Sequence, residues 1–425
     1  MKTIKFLLFI IIFMQVKFVD AQLPIDFSDK TYKNNVQTVL LHPVDEPLGL
    51  PVILLNDPHP LKLSFDVLGD IAFVYYYKLI HCTFDWKPSN LQPGEYLEGF
   101  DYDQINDYRF SLNTLTPYVH HTLTFPSEYL KPKLSGNYLL VVYEDVLKEG
   151  NILLTKRLMV IDPKVSIKAS VPQYARNPDF TKTMHQLDIE VLTSGETENF
   201  PGNSFHVAIR QNGRWDNAIT DLQPSHTYSD RLLYEYIDET VFEAGNQWRN
   251  FDMKSFKYQS EHIQRIFSDE DYFTVKLWED QRRNRKVYIS EPDIFGNKLI
   301  QARQDQDTDI EGDYAWVEFF LHYDAPLTHG EMFVLGALND WNLTERNKMK
   351  YNYPAKGYEA SLFLKQGYYN YLYGIREFGE KHAEVALIEG TYWETLNEYL
   401  ILVYFRKPGT SYDQLIASSI IKSHS

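Results

Sequence analysis

Chemistry at a protein site needs suitable side chains gathered at suitable spacing, and this chain offers few such gatherings. Its thirteen histidines are scattered, and the only adjacent pair is His120-His121. Neighbours on a strand point to opposite faces, so this pair cannot share one metal ion. Asp305, Asp307 and Asp309 imitate the opening of a calcium loop. The imitation fails at the sixth position, Ile310 instead of the turn-forming Gly, and at the twelfth, Trp316 instead of a bidentate Glu. The stretch 301–313 therefore reads as an acidic connector. Cys82 is the single cysteine, which excludes an internal disulfide, and its place at the end of an apolar strand predicts a buried, inert thiol. No His-Glu-x-x-His, Gly-x-Ser-x-Gly or glycine-rich phosphate loop occurs. Acidic residues are plentiful, but no spacing pairs two of them as acid and nucleophile. The expectation is a non-enzyme with no catalytic residues, no metal and no cofactor.

The elements that position these residues read as strands. Ile71, Phe73, Tyr75, Tyr77 and Leu79 alternate with Ala72, Val74, Tyr76, Lys78 and Ile80, a period of two that predicts a strand starting at Ile71. Another is predicted at 118–125, closed by Pro126. Between them lie turn residues and a loop dense in aromatics and acids, 95–102. Tyr138, after a turn and ahead of the apolar run 139–143, suggests the tyrosine corner of sandwich folds. Asn212-Gly213 is a strong hairpin signal. With 31 Tyr and 26 Phe, and no heptads or long helical stripes, the chain is expected to be all-β, a tandem of immunoglobulin-like or early-set β-sandwich domains. The expected partition is 22–162, 163–304 and 305–425, with the acidic connector opening the last domain.

Several of these segments also carry a resemblance. Residues 76–91, 95–100, 108–114 and 117–121 resemble the N-terminal domain of the type IX secretion system plug protein family. Residues 203–206, 309–319 and 393–405 resemble the rest of that family, so the likeness spans the chain beyond its first 21 residues. The resemblance implies a non-enzymatic plug that binds the periplasmic mouth of the outer-membrane type IX translocon barrel and blocks leakage. It also implies a periplasmic location, peripheral to that translocon. Separately, residues 334–341, Met349 and 362–373 resemble glycogen-binding early-set modules, which stack sugars on exposed Trp. That likeness supplies an alternative, a periplasmic or surface glycan-binding protein using the C-terminal domain. Trp341 matches the stacking Trp, but the sugar-binding Lys is replaced by Leu372. Glycan binding is therefore not the favoured expectation, and Trp341 is expected to plug its own turn.

The N-terminus has the three parts of a secretory signal: Lys2 and Lys5, the apolar run 6–16, and Ala21 before Gln22. Cleavage is expected after Ala21. The apolar run is shorter than the roughly 20 residues of a spanning helix, and no other stretch approaches that length, so direct membrane insertion is not expected. Removing Lys2, Lys5, Lys17 and Asp20 takes the formal charge from −16 to −18, which sets nucleic acid aside as a partner. The expected partner contacts are the loop aromatics Trp86, Tyr96, Phe100 and Tyr102, because aromatic anchors dominate protein interfaces.

Overall fold

The computed structural model describes residues 25–424. The expected signal segment 1–21 and its cleavage site lie outside them. The fold is all-β, built of sandwiches.

The first sandwich packs two sheets over one core. One sheet runs in the order Lys30–Thr31, Ile152–Ile161, Gly136–Glu144, Tyr75–Cys82, Asp103–Ile105, with Val52–Leu54 parallel to Ile152–Ile161. The other runs Val36–Pro43, Leu61–Leu68, Tyr118–Phe125, Asp107–Phe110. Tyr77, Leu79, Leu140 and Val142 of one sheet meet Leu63, Phe65 and Phe125 of the other. Tyr138 is buried, and its hydroxyl donates to the Leu134 carbonyl at 2.8 Å, as a tyrosine corner requires. Cys82 is buried, and burial pushes its thiol up to about 12.

The strand expected from Ile71 begins at Tyr75 instead. The register explains the shortening. Tyr75 pairs with Glu144, the last residue of its neighbour, so that neighbour does not extend the ladder to Ile71–Val74. Ile71, Phe73 and Val74 are left exposed.

Gly136–Glu144 is buried on both faces. Its outer side chains Leu139, Val141 and Tyr143 join Met159 and Ile161 in a second cluster. The partners there are Ala208, Leu400, Leu402 and Tyr404 of a distant sheet, ordered Ile219–Leu222, Phe205–Gln211, Glu398–Phe405, Gln414–Lys422. Each fully buried Leu or Val contributes about 1.5–3 kcal/mol, so this sheet-on-sheet contact is an apolar core and not a hinge. The opposite faces of the same strands, Phe205, Val207, Ile209, Tyr399, Ile401 and Val403, pack on Ile189, Val191 and Leu232. Asn212 and Gly213, at φ +51° and +70°, turn the chain out of Phe205–Gln211 toward Ile219–Leu222 as the Asn-Gly signal predicts.

Strand pairing crosses the expected boundary at 304/305. Glu398–Phe405 pairs with Phe205–Gln211, from Phe205 opposite Phe405 to Gln211 opposite Tyr399. The C-terminal strands thus complete the sheet that opens near residue 205. Between them, Arg249–Asp252 pairs with Gly367–Glu377, and Ile263–Ser268 pairs with Phe273–Leu277, which in turn pairs with Tyr314–His322, around a core containing Phe251, Phe319, Tyr369 and Tyr371. We therefore propose three units: 25–162, 163–245 together with 391–424, and an inserted unit 246–390. The physical reason for the departure is that an apolar run such as 399–405 announces a strand but not its partner.

Candidate interaction site

The loop aromatics divide into two groups. Trp86 and Tyr96 are each only 4% exposed. Trp86 sits edge-on to Trp215, with ring centroids 5.1 Å apart, and the Arg157 guanidinium lies 4.6 Å from its ring. It is therefore part of the joint between the first two units. Tyr96 lies in the first core, its hydroxyl donating to the Leu79 carbonyl at 3.2 Å. Burial removes both from the surface on which a partner could land, which corrects the expectation for those two side chains.

Phe100 and Tyr102 are 63% and 55% exposed. Gly99, at φ +97°, turns the chain where a Cβ would strike the Tyr129 carbonyl oxygen at 1.9 Å, so the backbones of 99 and 129 can approach only without a side chain. Phe100 then stacks on exposed Tyr129, and Tyr102 leans edge-on against Tyr76. The next two strands, Asp103–Ile105 and Asp107–Phe110, are the edge strands of the two facing sheets. They place Tyr108 and Phe110 on the same rim, and every residue of Asp107–Phe110 is exposed. Ile71, Phe73 and Val74 lead into Tyr75, which pairs with Ile105. The rim is thus a run of exposed apolar side chains on one edge of the first sandwich. Tyr108 and Phe110 escaped the sequence reading because nothing in Asp-Tyr-Arg-Phe distinguishes an edge strand from an inner one.

The acidic connector works as a clasp between the first and the inserted units. Asp307 caps the short helix Thr308–Glu311 by accepting from the Asp309 amide at 3.1 Å. Arg109 of the rim strand donates to Asp307 at 2.7 Å and to Asp309 at 3.0 Å, and Lys62 reaches Asp309 at 3.1 Å. The Asp313 carboxylate accepts from the Leu115 and Thr116 amides at 2.6 and 3.2 Å. Below the clasp lies a buried centre. Lys365 donates to Asp66 at 2.7 Å, the Tyr314 hydroxyl donates to the same oxygen at 2.7 Å, and His120 Nδ1 lies 2.6 Å from the other oxygen. Asp66 and Lys365 are each 1% exposed at the side chain. Burial alone would raise the Asp66 pKa, but Lys365 and His120 outweigh it and hold the carboxyl below its ordinary 3.8. His121 faces the apolar core instead, stacked on Phe65 at 5.1 Å. The two histidines diverge as strand neighbours should.

Trp341 is half-buried between units. It packs edge-on against Trp248 at 5.3 Å, and the Arg214 guanidinium covers its ring at 4.2 Å. Leu372 is buried and pairs with Leu335. A ring already covered by a cation is not an open platform for sugar, and the glycan alternative gains no support. Among the described residues no group of three His, Cys, Asp or Glu side chains is arranged to hold a metal ion. No helix there is long and apolar enough to cross a membrane.

These features define a class: an all-β assembly of sandwiches whose polar chemistry is spent on holding its units together. Residues 36–162 match the family model described as the type 9 secretion system plug protein 1st domain. A crystal structure of a hypothetical protein from Parabacteroides merdae is similar over 94% of this chain and 100% of its own, at 33% identity and a TM-score of 0.90. The chain belongs to the type IX secretion system plug protein family. The C-terminal domain of the Streptococcus agalactiae antigen I/II polypeptide BspA aligns with 91% of this chain and 100% of its own. At 8% identity and a TM-score of 0.16, that alignment carries no structural argument. No curated protein matches the chain.

Proposed function

We propose that this protein is the periplasmic plug of the outer-membrane type IX translocon, exported by the signal segment 1–21 and seated on the periplasmic mouth of the barrel while no substrate passes. The observation that carries this reading is the plug-family match over 36–162. The mechanism is steric and needs no catalysis. A wide barrel conducts whatever fits its lumen unless a folded body caps it. Such a cap must keep its shape under load, and the buried apolar joint and the Asp66–Lys365 centre supply that stiffness. It must also bind, and the rim of Phe100, Tyr102, Tyr108 and Phe110 offers aromatic anchors beside unpaired strand edges. A specific seal of this kind should bury more than about 1,000 Å².

Two measurements test the reading together. Deleting the gene should raise outer-membrane permeability to large, normally excluded antibiotics, and complementation should restore the barrier. Replacing Phe100 and Tyr102 together by Ser should weaken copurification with the translocon at least tenfold with an unchanged melting temperature, because both side chains are exposed. Normal permeability in the deletion, with no translocon in the purified material, would overturn the plug reading. Wild-type copurification of the double variant would move the contact away from the rim.

A further inference from the structure

A cavity of about 360 Å³ opens where the three units meet. Asp29, Lys156 and Arg157 of the first unit line it, as do Arg210 and Asp216 of the second and Lys298 and Asp340 of the inserted unit. Trp215 and Trp341 add aromatic walls. The charges do not balance. Asp340 pairs with Lys156 at 2.8 Å, and Asp216 is held by Arg214, just behind Trp341, at 2.6 Å. Asp29 accepts from the Arg157 amide at 2.7 Å. With Asp216 neutralised by Arg214, which does not itself line the cavity, four lining cations, Lys156, Arg157, Arg210 and Lys298, stand against two carboxylates, Asp29 and Asp340, in a chain whose net charge is −16. Lys298 feels Asp340 only at longer range.

Arg210 gives the imbalance a direction. It is 4% exposed, with its guanidinium 4.0 Å from the Trp215 ring. Its Nε donates to the Arg214 carbonyl at 3.2 Å and its Nη2 to the Gly213 carbonyl. Nη1 is buried and has no hydrogen-bond partner among the described residues. A buried charged N–H without an acceptor is costly, and such groups call for an explanation. Arg157 also lies over Trp215, 4.9 Å from the ring centre, and its positive charge acts against that of Arg210. The arrangement is preorganised, since rings and carbonyls fix the Arg210 plane and leave one donor free.

We propose that this three-unit junction is a binding site for a small, doubly charged oxyanion. The excess of two positive charges sets the ligand's charge. The free Arg210 Nη1 and the Lys298 ammonium supply donors suited to phosphate or carboxylate oxygens. A ligand there touches all three units, so its binding energy adds to the stability of their mutual arrangement. The inference is independent of the plug reading.

The test uses the full mature chain at constant ionic strength, titrated with inorganic phosphate or with succinate, and with sodium chloride as reference. Melting temperature and calorimetric heat are the readouts. Saturable binding of either dianion is expected, with the melting temperature rising by at least about 2 °C at a hundredfold excess over Kd. Response to phosphate alone assigns a tetrahedral oxyanion, and response to succinate alone a dicarboxylate. Arg210→Gln and, at a half-buried position that disturbs the core less, Lys298→Gln should each weaken binding at least tenfold. Non-saturable responses equal to that of chloride overturn the proposal. So does binding unchanged in Lys298→Gln, or in both variants where both fold.

Discussion

Lys365→Met is expected to cost about 3–5 kcal/mol of stability, the usual loss when one partner of a buried ion pair is removed. Lys365 and Asp66 meet at 2.7 Å, and neither reaches solvent. The ammonium also donates to the Asp309 carbonyl at 3.0 Å and lies 4.1 Å from the Tyr118 ring. Methionine would fill much of the volume but leave the Asp66 carboxylate with His120, Tyr314 and no permanent cation. The double variant Asp66→Asn, Lys365→Met should recover a large part of the loss, since the expense lies in the stranded charge more than in the missing bond. Because the pair joins the first and inserted units, the single variant should also expose the 301–313 connector to limited proteolysis. Thermal melts and a double-mutant cycle measure both effects. A single variant within about 0.5 kcal/mol of wild type, the range of an ordinary surface change, would show that the centre is not a lock.

The same centre shows how far sequence reasoning reaches. Its parts were visible: His120-His121 diverging on a strand, and an acidic run with no metal-loop ending. The partners were not, because Asp66 and Lys365 lie 299 residues apart and the pattern around each is local. Alternation in 75–82 and the Tyr138 corner were readable because period and turn chemistry act within a few residues. The double-sided burial of 136–144 and 398–405 was readable only as apolarity. Which sheet covers which face depends on contacts hundreds of residues apart, so the inserted unit stayed hidden. Trp86 and Phe100 make the point for the candidate site. Both are aromatics in polar loops, yet Trp86 is buried against Trp215 from another unit, while Phe100 stacks on Tyr129 and stays exposed. Residue type proposes an anchor, while tertiary packing decides whether it remains available.

Acidification from pH 7.5 to 4.5 should destabilise the protein by on the order of 5 kcal/mol, with the loss beginning near pH 6.5. His81, His121 and His185 are buried, and burial pushes each down from 6.5 to about 4. Among the described residues, neither ring nitrogen of His121 has a hydrogen-bond partner. The unfolded chain binds protons at these sites between pH 6.5 and 4 while the folded chain does not. Their contribution is therefore intact above pH 6.5 and is lost as pH falls toward 4. Asp66 behaves differently. Its carboxyl is held below 3.8, so its contribution persists at pH 4.5 and disappears only in stronger acid. Asp293, Asp313, Glu243 and Glu398 are raised by burial and oppose the histidines, but only where carboxylates begin to titrate. The decline between pH 6.5 and 5 therefore belongs to the histidines. His121→Leu isolates one of them. It replaces two unpartnered ring nitrogens, packed against Phe65 and Tyr75, with an apolar side chain of similar volume. The variant should shed roughly a third of the pH dependence, whatever its stability at pH 7.5. A melting temperature that stays flat from pH 7.5 to 4.5 would show that these imidazoles accept protons in place. In that case the buried histidines would not make the folded body sensitive to acid.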